Sequence, residues 1–174
     1  MRALLFLTCL FLTSKTCVAQ KVEREYAIKA DAVPSAALTW LAEHYPTRRR
    51  ERFYVDEGSE RTTVESKFKA DDTWYSVEFE QDGAWQNTEV EVPVPAVPER
   101  VWSEVCGVWS DRYGKFRIAR VQAHTGADGQ AYYEVEIRGR KDFEWDRYEA
   151  AIDSTGTVLR FDTIKLAPGH LDRW

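Results

Sequence analysis

Apolar residues recur at every second position through much of this chain, and this period constrains its fold more than any other feature. The alternation is clear at residues 75–79 and again at residues 133–137. Successive side chains of a β-strand point to opposite faces, so each run predicts a strand with one apolar face. Asp82-Gly83 and residues 153–156 have the composition of tight turns, which join neighbouring antiparallel strands. The sequence therefore predicts antiparallel sheet.

Two other segments have apolar residues at helical spacing. The first follows Pro34, carries Ala37 and Leu41 four residues apart, and ends at Pro46. Proline suits the first turn of a helix and stops a helix that reaches it. The second helix is predicted to follow Pro98. Its apolar stripe, which predicts a buried face, consists of Val101, Trp102, Val105, Val108 and Trp109.

The order of one helix and then about four strands occurs twice. Pro34 aligns with Pro98, and the turn residue Gly83 aligns with Gly156. We therefore expect an α+β fold made of a tandem repeat of two units, each a helix packed on a roughly four-stranded antiparallel sheet. The proline-rich segment at 93–98 is a short, stiff connector between the two units.

Residues 1–19 have the layout of a secretory signal peptide. Arg2 precedes an apolar stretch, and small residues precede the expected cleavage after Ala19. Removing this segment takes Arg2 and Lys15 but no acidic residue, which changes the formal charge from −5 to −7. Cys106 is then the only cysteine, so no internal disulfide can form. We expect an exported protein, periplasmic or associated with the cell envelope, with no membrane span in the mature chain.

The expected organisation after the signal peptide has four parts. They are a polar lead-in at 20–32, a first unit at 33–95, a second unit at 96–166 and a C-terminal tail at 167–174.

A proline-led helix, a charged loop, a Tyr-x-Val-x-Phe-like strand, a tight turn and a closing strand together resemble the PepSY-like domain. Residues 133–137 and the turn at 152–159 carry most of this resemblance. It implies an exported protein with tandem units and a fold similar to that of the beta-lactamase inhibitory protein. It also implies a non-enzymatic binding or inhibitory role in the cell envelope.

Strand alternation predicts that the face turned away from the helices mixes large aromatic residues with charges. Aromatic and arginine residues are enriched at the centres of protein-binding surfaces. The alternative is that these aromatics only pack across strands or between the units. The predicted binding residues are Trp74, Glu78, Trp85, Tyr132, Glu134, Trp145 and Arg147.

No arrangement of residues indicates catalysis, so we expect a protein that is not an enzyme. His44, His124 and His170 are far apart in sequence and form no paired metal-binding motif, so we expect no metal site and no cofactor. The acidic charge argues against nucleic acid as a partner.

The sequence favours an exported binding module, inhibitor-like in character, that holds an envelope protein or peptide on its open sheet faces. One alternative is a small-molecule-binding or enzymatic α+β barrel-like domain. The other is a cation-responsive envelope sensor.

Overall fold

A computed structural model of the protein describes residues 19–58, 61–112, 115–141 and 144–166. Apart from Ala19, the predicted signal peptide lies outside these ranges, as does the predicted tail at 167–174. The α-helices are α1 (Ser35–His44) and α2 (Glu99–Arg112), and two single-turn 3₁₀-helices span Ala30–Ala32 and Val94–Ala96. The strands are β1 (Ala19–Glu23), β2 (Glu25–Ile28), β3 (Arg49–Glu57), β4 (Thr62–Ala70), β5 (Thr73–Phe79), β6 (Trp85–Glu91), β7 (Lys115–Gly126), β8 (Ala131–Lys141), β9 (Glu144–Ile152) and β10 (Val158–Leu166).

All ten strands belong to one sheet, in the order β1-β10-β9-β8-β7-β6-β5-β4-β3-β2. The strands from β2 to β10 pair antiparallel with their neighbours, and β1 pairs parallel with β10. The prediction of two repeated helix-on-sheet units is therefore wrong. The edges of β6 and β7 would expose unpaired backbone groups if they were separate, and they pair with each other instead.

The sheet is rolled. Only Arg24 separates β1 from β2, although these strands occupy opposite ends of the strand order. Consecutive Cα atoms are about 3.8 Å apart, so the two ends of the sheet come within about 8 Å of each other at this point. β1 and β2 occupy most of the predicted polar lead-in, for which the sequence predicts no strand.

Both helices pack on the same face of the sheet and confirm the two predicted helical segments. In α1, the buried residues Ala37 and Leu41 contact a core that contains Phe68, Val77 and Phe79.

In α2, Val101, Val105 and Trp109 are buried against Ile137 and Ile152. These helix residues are four apart, which places them along one side of α2. Trp102, predicted to lie in the core, is half-buried.

The predicted tight turn at Asp82-Gly83 is confirmed and also holds α1 in place. Gly83 is buried and has a φ of 90°, a conformation that favours glycine. A Cβ atom at this position would lie 2.8 Å from the backbone nitrogen of Ala37 and 2.9 Å from the Cβ of Ala36. The turn between β5 and β6 therefore lies directly against the first turn of α1.

Within the part of the chain that the structure describes, the helices are too short and too polar to cross a lipid bilayer.

Candidate binding surface on the helix-free face

The sheet face opposite α1 and α2, called here the helix-free face, contains six of the seven predicted binding residues. The strand register places them on the opposite side from the buried core residues. These six are Trp74, Glu78, Tyr132, Glu134, Trp145 and Arg147.

Trp85 lies on the helix-covered face, so its predicted position on the open face is wrong. Glu78 pairs with Asn87 but Phe79 pairs with Trp85, which leaves Gln86 as an extra residue. This β-bulge reverses the alternation that the sequence suggests. Trp85 consequently stacks on Trp40, with ring centroids 5.7 Å apart and planes 6° apart.

Many charged side chains on the helix-free face are buried, which indicates that this face is the inside of the rolled sheet. Lys67 Nζ lies 2.6 Å from Glu25 Oε2 and 3.0 Å from Glu65 Oε2. Burial alone would lower the pKa of Lys67, but the two carboxylates raise it above its ordinary value. Buried charges require such partners, because transfer out of water is costly for an unpaired ion.

A second network surrounds Arg160 on β10. Its guanidinium lies 3.2 Å from Glu134 Oε2, 3.0 Å from Glu149 Oε1 and 2.8 Å from Asp162 Oδ2. Glu134, a predicted binding residue, is therefore held in place by an ion pair. Tyr132 lies nearby, where burial and the charge of Glu134 raise its pKa to about 12.

Glu78 is held between charged neighbours in the middle of the face. It accepts a hydrogen bond from Asn87 Nδ2 at 2.7 Å. Burial, followed by the charges of Glu65 and Glu89, raises the pKa of Glu78 from 4.5 to about 7. The carboxyl group is therefore partly protonated near neutral pH.

A depression of about 380 Å³ brings together two of the predicted residues, Trp74 and Arg147. Glu136 lies between two arginines in it. Glu136 Oε1 accepts hydrogen bonds from Arg147 Nε at 3.0 Å and from its terminal nitrogen at 2.7 Å, and Glu136 Oε2 lies 3.5 Å from Arg120. The full lining is Trp74, Glu91, Ala119, Arg120, Glu136, Arg138 and Arg147.

Three arginines and two glutamates give the depression a net positive charge. Arginine recognises carboxylates through a planar fork of donors, and the face of a tryptophan packs well against the apolar part of a ligand. The depression is therefore suited to a carboxylate on an apolar stem.

Sequence alternation misses Arg120 as a member of this site. The register shifts between Ile118 and Arg120, because Ala119 is an extra residue in β7. No sequence signal marks this bulge.

Trp145 is the exposed aromatic of the face, with 51% of its surface accessible. The guanidinium of Arg117 lies 5.7 Å from the centre of its ring, within range of a cation–π contact. Trp145 lies near the start of β9, two residues from Arg147. It is therefore accessible at the same end of the strand as the depression.

The sequence matches no protein-family model and no curated protein sequence. Several solved structures nevertheless have a similar fold. A DUF2874 family protein from Bacteroides uniformis ATCC 8492 has a TM-score of 0.60 and 17% identity, over 75% of this chain and 89% of that chain. A protein proposed to be periplasmic, from Bacteroides eggerthii DSM 20697, has a TM-score of 0.61 and 16% identity, over 75% and 88% of the two chains.

A BLIP-like protein from Bacteroides fragilis NCTC 9343 also matches, with a TM-score of 0.56 and 15% identity over 82% of this chain and 92% of that chain. Identities this low establish a shared fold and nothing finer. The resemblance to the PepSY-like domain stays a prediction, since no family model matches. The protein has a BLIP-like fold.

Proposed function

We propose that this protein is an exported, non-enzymatic binding module that holds a protein or peptide segment on its helix-free face. One observation carries the proposal. The exposed Trp145 lies near the positively charged depression that Trp74 and Arg147 line. Export is supported by the signal-peptide layout of residues 1–19 and by the fold shared with a protein proposed to be periplasmic.

The partner segment in this proposal presents an acidic side chain. Its carboxylate enters the depression between Arg138 and Arg147, and its apolar stem packs on Trp74. Trp145 provides the larger contact area outside the depression. The centres of protein-binding surfaces commonly combine such an aromatic residue with arginines, and both lose their water when the partner binds.

A capture experiment with envelope extract tests this proposal. The immobilised wild-type protein is compared with a Trp74→Ala/Trp145→Ala variant, and cross-linked partners are quantified. We expect the variant to capture its partner at least about tenfold less, because central aromatic anchors are typically worth more than 1 kcal/mol each. We also expect capture by the wild type to weaken as salt is raised, since the proposed contact is charged.

Tyr26→Ala is the matched control. Tyr26 is 42% exposed, and its pairing with Val55 places it on the helix-covered face. The control should capture as well as the wild type. Equal capture by the double variant, with its circular dichroism spectrum unchanged, would show that the helix-free face is not the binding surface.

A further inference from the structure

Three adjacent strands bring two carboxylates and a histidine together on the helix-free face. Glu89 on β6 lies opposite His124 on β7, and Glu134 lies on β8, the other neighbour of β7. One possible ligand atom from each of the three side chains lies within 4.8 Å of the other two. Small rotamer changes can bring such atoms within bonding distance of one ion, for which metal–ligand bonds are about 2.0–2.2 Å.

The Nδ1 atom of His124 is buried and forms no hydrogen bond with any residue in the described ranges. Glu89 Oε1 lies 3.7 Å away, too far for a hydrogen bond. Stacking on Tyr132, with ring centroids 4.2 Å apart, fixes the plane of the imidazole. Buried nitrogen atoms are normally hydrogen-bonded, so Nδ1 of His124 is available to bind an ion.

The two carboxylates are held by outer groups, as metal ligands commonly are. Gln122 Nε2 donates a hydrogen bond to Glu89 Oε2 at 2.7 Å. Arg160 donates a hydrogen bond to Glu134 Oε2 at 3.2 Å. Such contacts orient ligand carboxylates and reduce the cost of arranging them around an ion.

The surroundings carry more negative than positive charge. Glu65 and Glu78 act electrostatically on Glu89 from the strands beyond β6. The nearby cation Lys67 is shared by Glu25 and Glu65, and Arg160 is shared by three carboxylates. A divalent cation among these groups would relieve their mutual repulsion.

We propose that Glu89, His124 and Glu134 bind a divalent first-row transition ion such as Zn²⁺. One imidazole nitrogen with two carboxylate oxygens is a mixed donor set that these ions accept. Ca²⁺ and Mg²⁺ prefer sites made of oxygen alone, so they fit this set less well. The site is separate from the Trp74 depression and does not depend on the proposed binding function.

Calorimetric titration of the full chain with Zn²⁺ alone, after treatment with a chelator, tests the proposal. We expect one equivalent to bind in the wild type. The His124→Gln and Glu134→Gln variants should bind at least about tenfold more weakly, because each loses a direct ligand and even outer-shell changes cost 10- to 100-fold. Ca²⁺ at the same concentration should bind more weakly than Zn²⁺.

A His44→Gln/His170→Gln variant is the matched control, since it removes the other two histidines and keeps the proposed ligands. Its Zn²⁺ affinity should equal that of the wild type. Loss of binding in this variant, or wild-type affinity in His124→Gln, would overturn the proposal. The absence of Zn²⁺ binding in the wild type would also overturn it, because Glu89 and His124 would then form only an ion pair.

A second measurement does not depend on how the variants fold. Co²⁺ bound to the wild type should give visible absorption bands, and added Zn²⁺ should displace it. The imidazole resonances of His124 should shift with one equivalent of Zn²⁺ while those of His44 stay constant. A shift confined to other histidines would place the ion elsewhere.

Discussion

Glu78 shows, for a single residue, how burial on the helix-free face changes the pKa of a side chain. Its carboxyl group is partly protonated at pH 7 because burial, Glu65 and Glu89 all raise its pKa, to about 7. Its folded-state pKa lies above its unfolded value, so the native protein binds more protons between pH 4.5 and pH 7. This residue's contribution to stability is therefore present at low pH and is lost as the pH rises through that range.

The first prediction compares the wild type with Glu78→Gln in metal-free buffer. From pH 5 to pH 8, the free energy of unfolding of the wild type should fall by about 3 kcal/mol relative to that of the variant. This value follows from the rise of the Glu78 pKa from 4.5 to about 7, at about 1.36 kcal/mol per pKa unit. Urea unfolding at the two pH values measures this difference. Glu43→Gln, on the exposed side of α1, should show no such change. A constant difference between wild type and Glu78→Gln would mean that Glu78 has an ordinary pKa.

At the scale of the elements, the bulge at Gln86 gives Trp85 a different role from Trp145, which lies on β9 in regular register. Trp85 packs against the core beside Trp40, whereas Trp145 is exposed. We therefore predict that Trp85→Ala lowers the free energy of unfolding by about 3 kcal/mol. Trp145→Ala should change it by no more than about 0.5 kcal/mol. Denaturant unfolding of both variants checks this. A larger loss of unfolding free energy in Trp145→Ala than in Trp85→Ala would contradict the assigned faces.

The turn between β5 and β6 gives a further prediction about how α1 is held. Gly83 and Gly129 both have positive φ, but a Cβ at Gly129 meets nothing within 4 Å. Gly129→Ala should thus cost only backbone strain, about 1 kcal/mol. Gly83→Ala should cost about 1–3 kcal/mol more, because α1 must move away from the added methyl group. Equal thermal shifts for the two variants would show that α1 is not held by this turn.

The helices and tight turns could be predicted from sequence because their signals are local. Pro34 and Pro98 precede the helices, and Gly83 occupies the left-handed position of its turn. The bulges at Gln86 and Ala119 could not be predicted, because each depends on how one strand registers with its neighbour. Each bulge changes which side chains share a face, so sequence alternation misplaces Trp85 and misses Arg120.

At the scale of the whole molecule, pairing across the middle of the chain turns two similar halves into one rolled sheet. The sequence predicts both α-helices and the strands from β3 to β10, but it omits β1 and β2. It also divides the sheet in two, because strand pairing between β6 and β7 leaves no pattern in either segment. The same pairing assembles Glu89, His124 and Glu134 from positions up to 45 residues apart. Spacing along the chain could therefore not reveal a metal site there.

The proposed function predicts that a partner binds on the helix-free face and not on the helix-covered face. A photo-crosslinking amino acid placed at position 74 or 145, in cells that export the protein, tests this most directly. We expect both positions to form an adduct with the same protein, and we expect none from position 26 on the helix-covered face. Adducts from position 26 alone, or no adduct from positions 74 and 145, would contradict binding on the helix-free face.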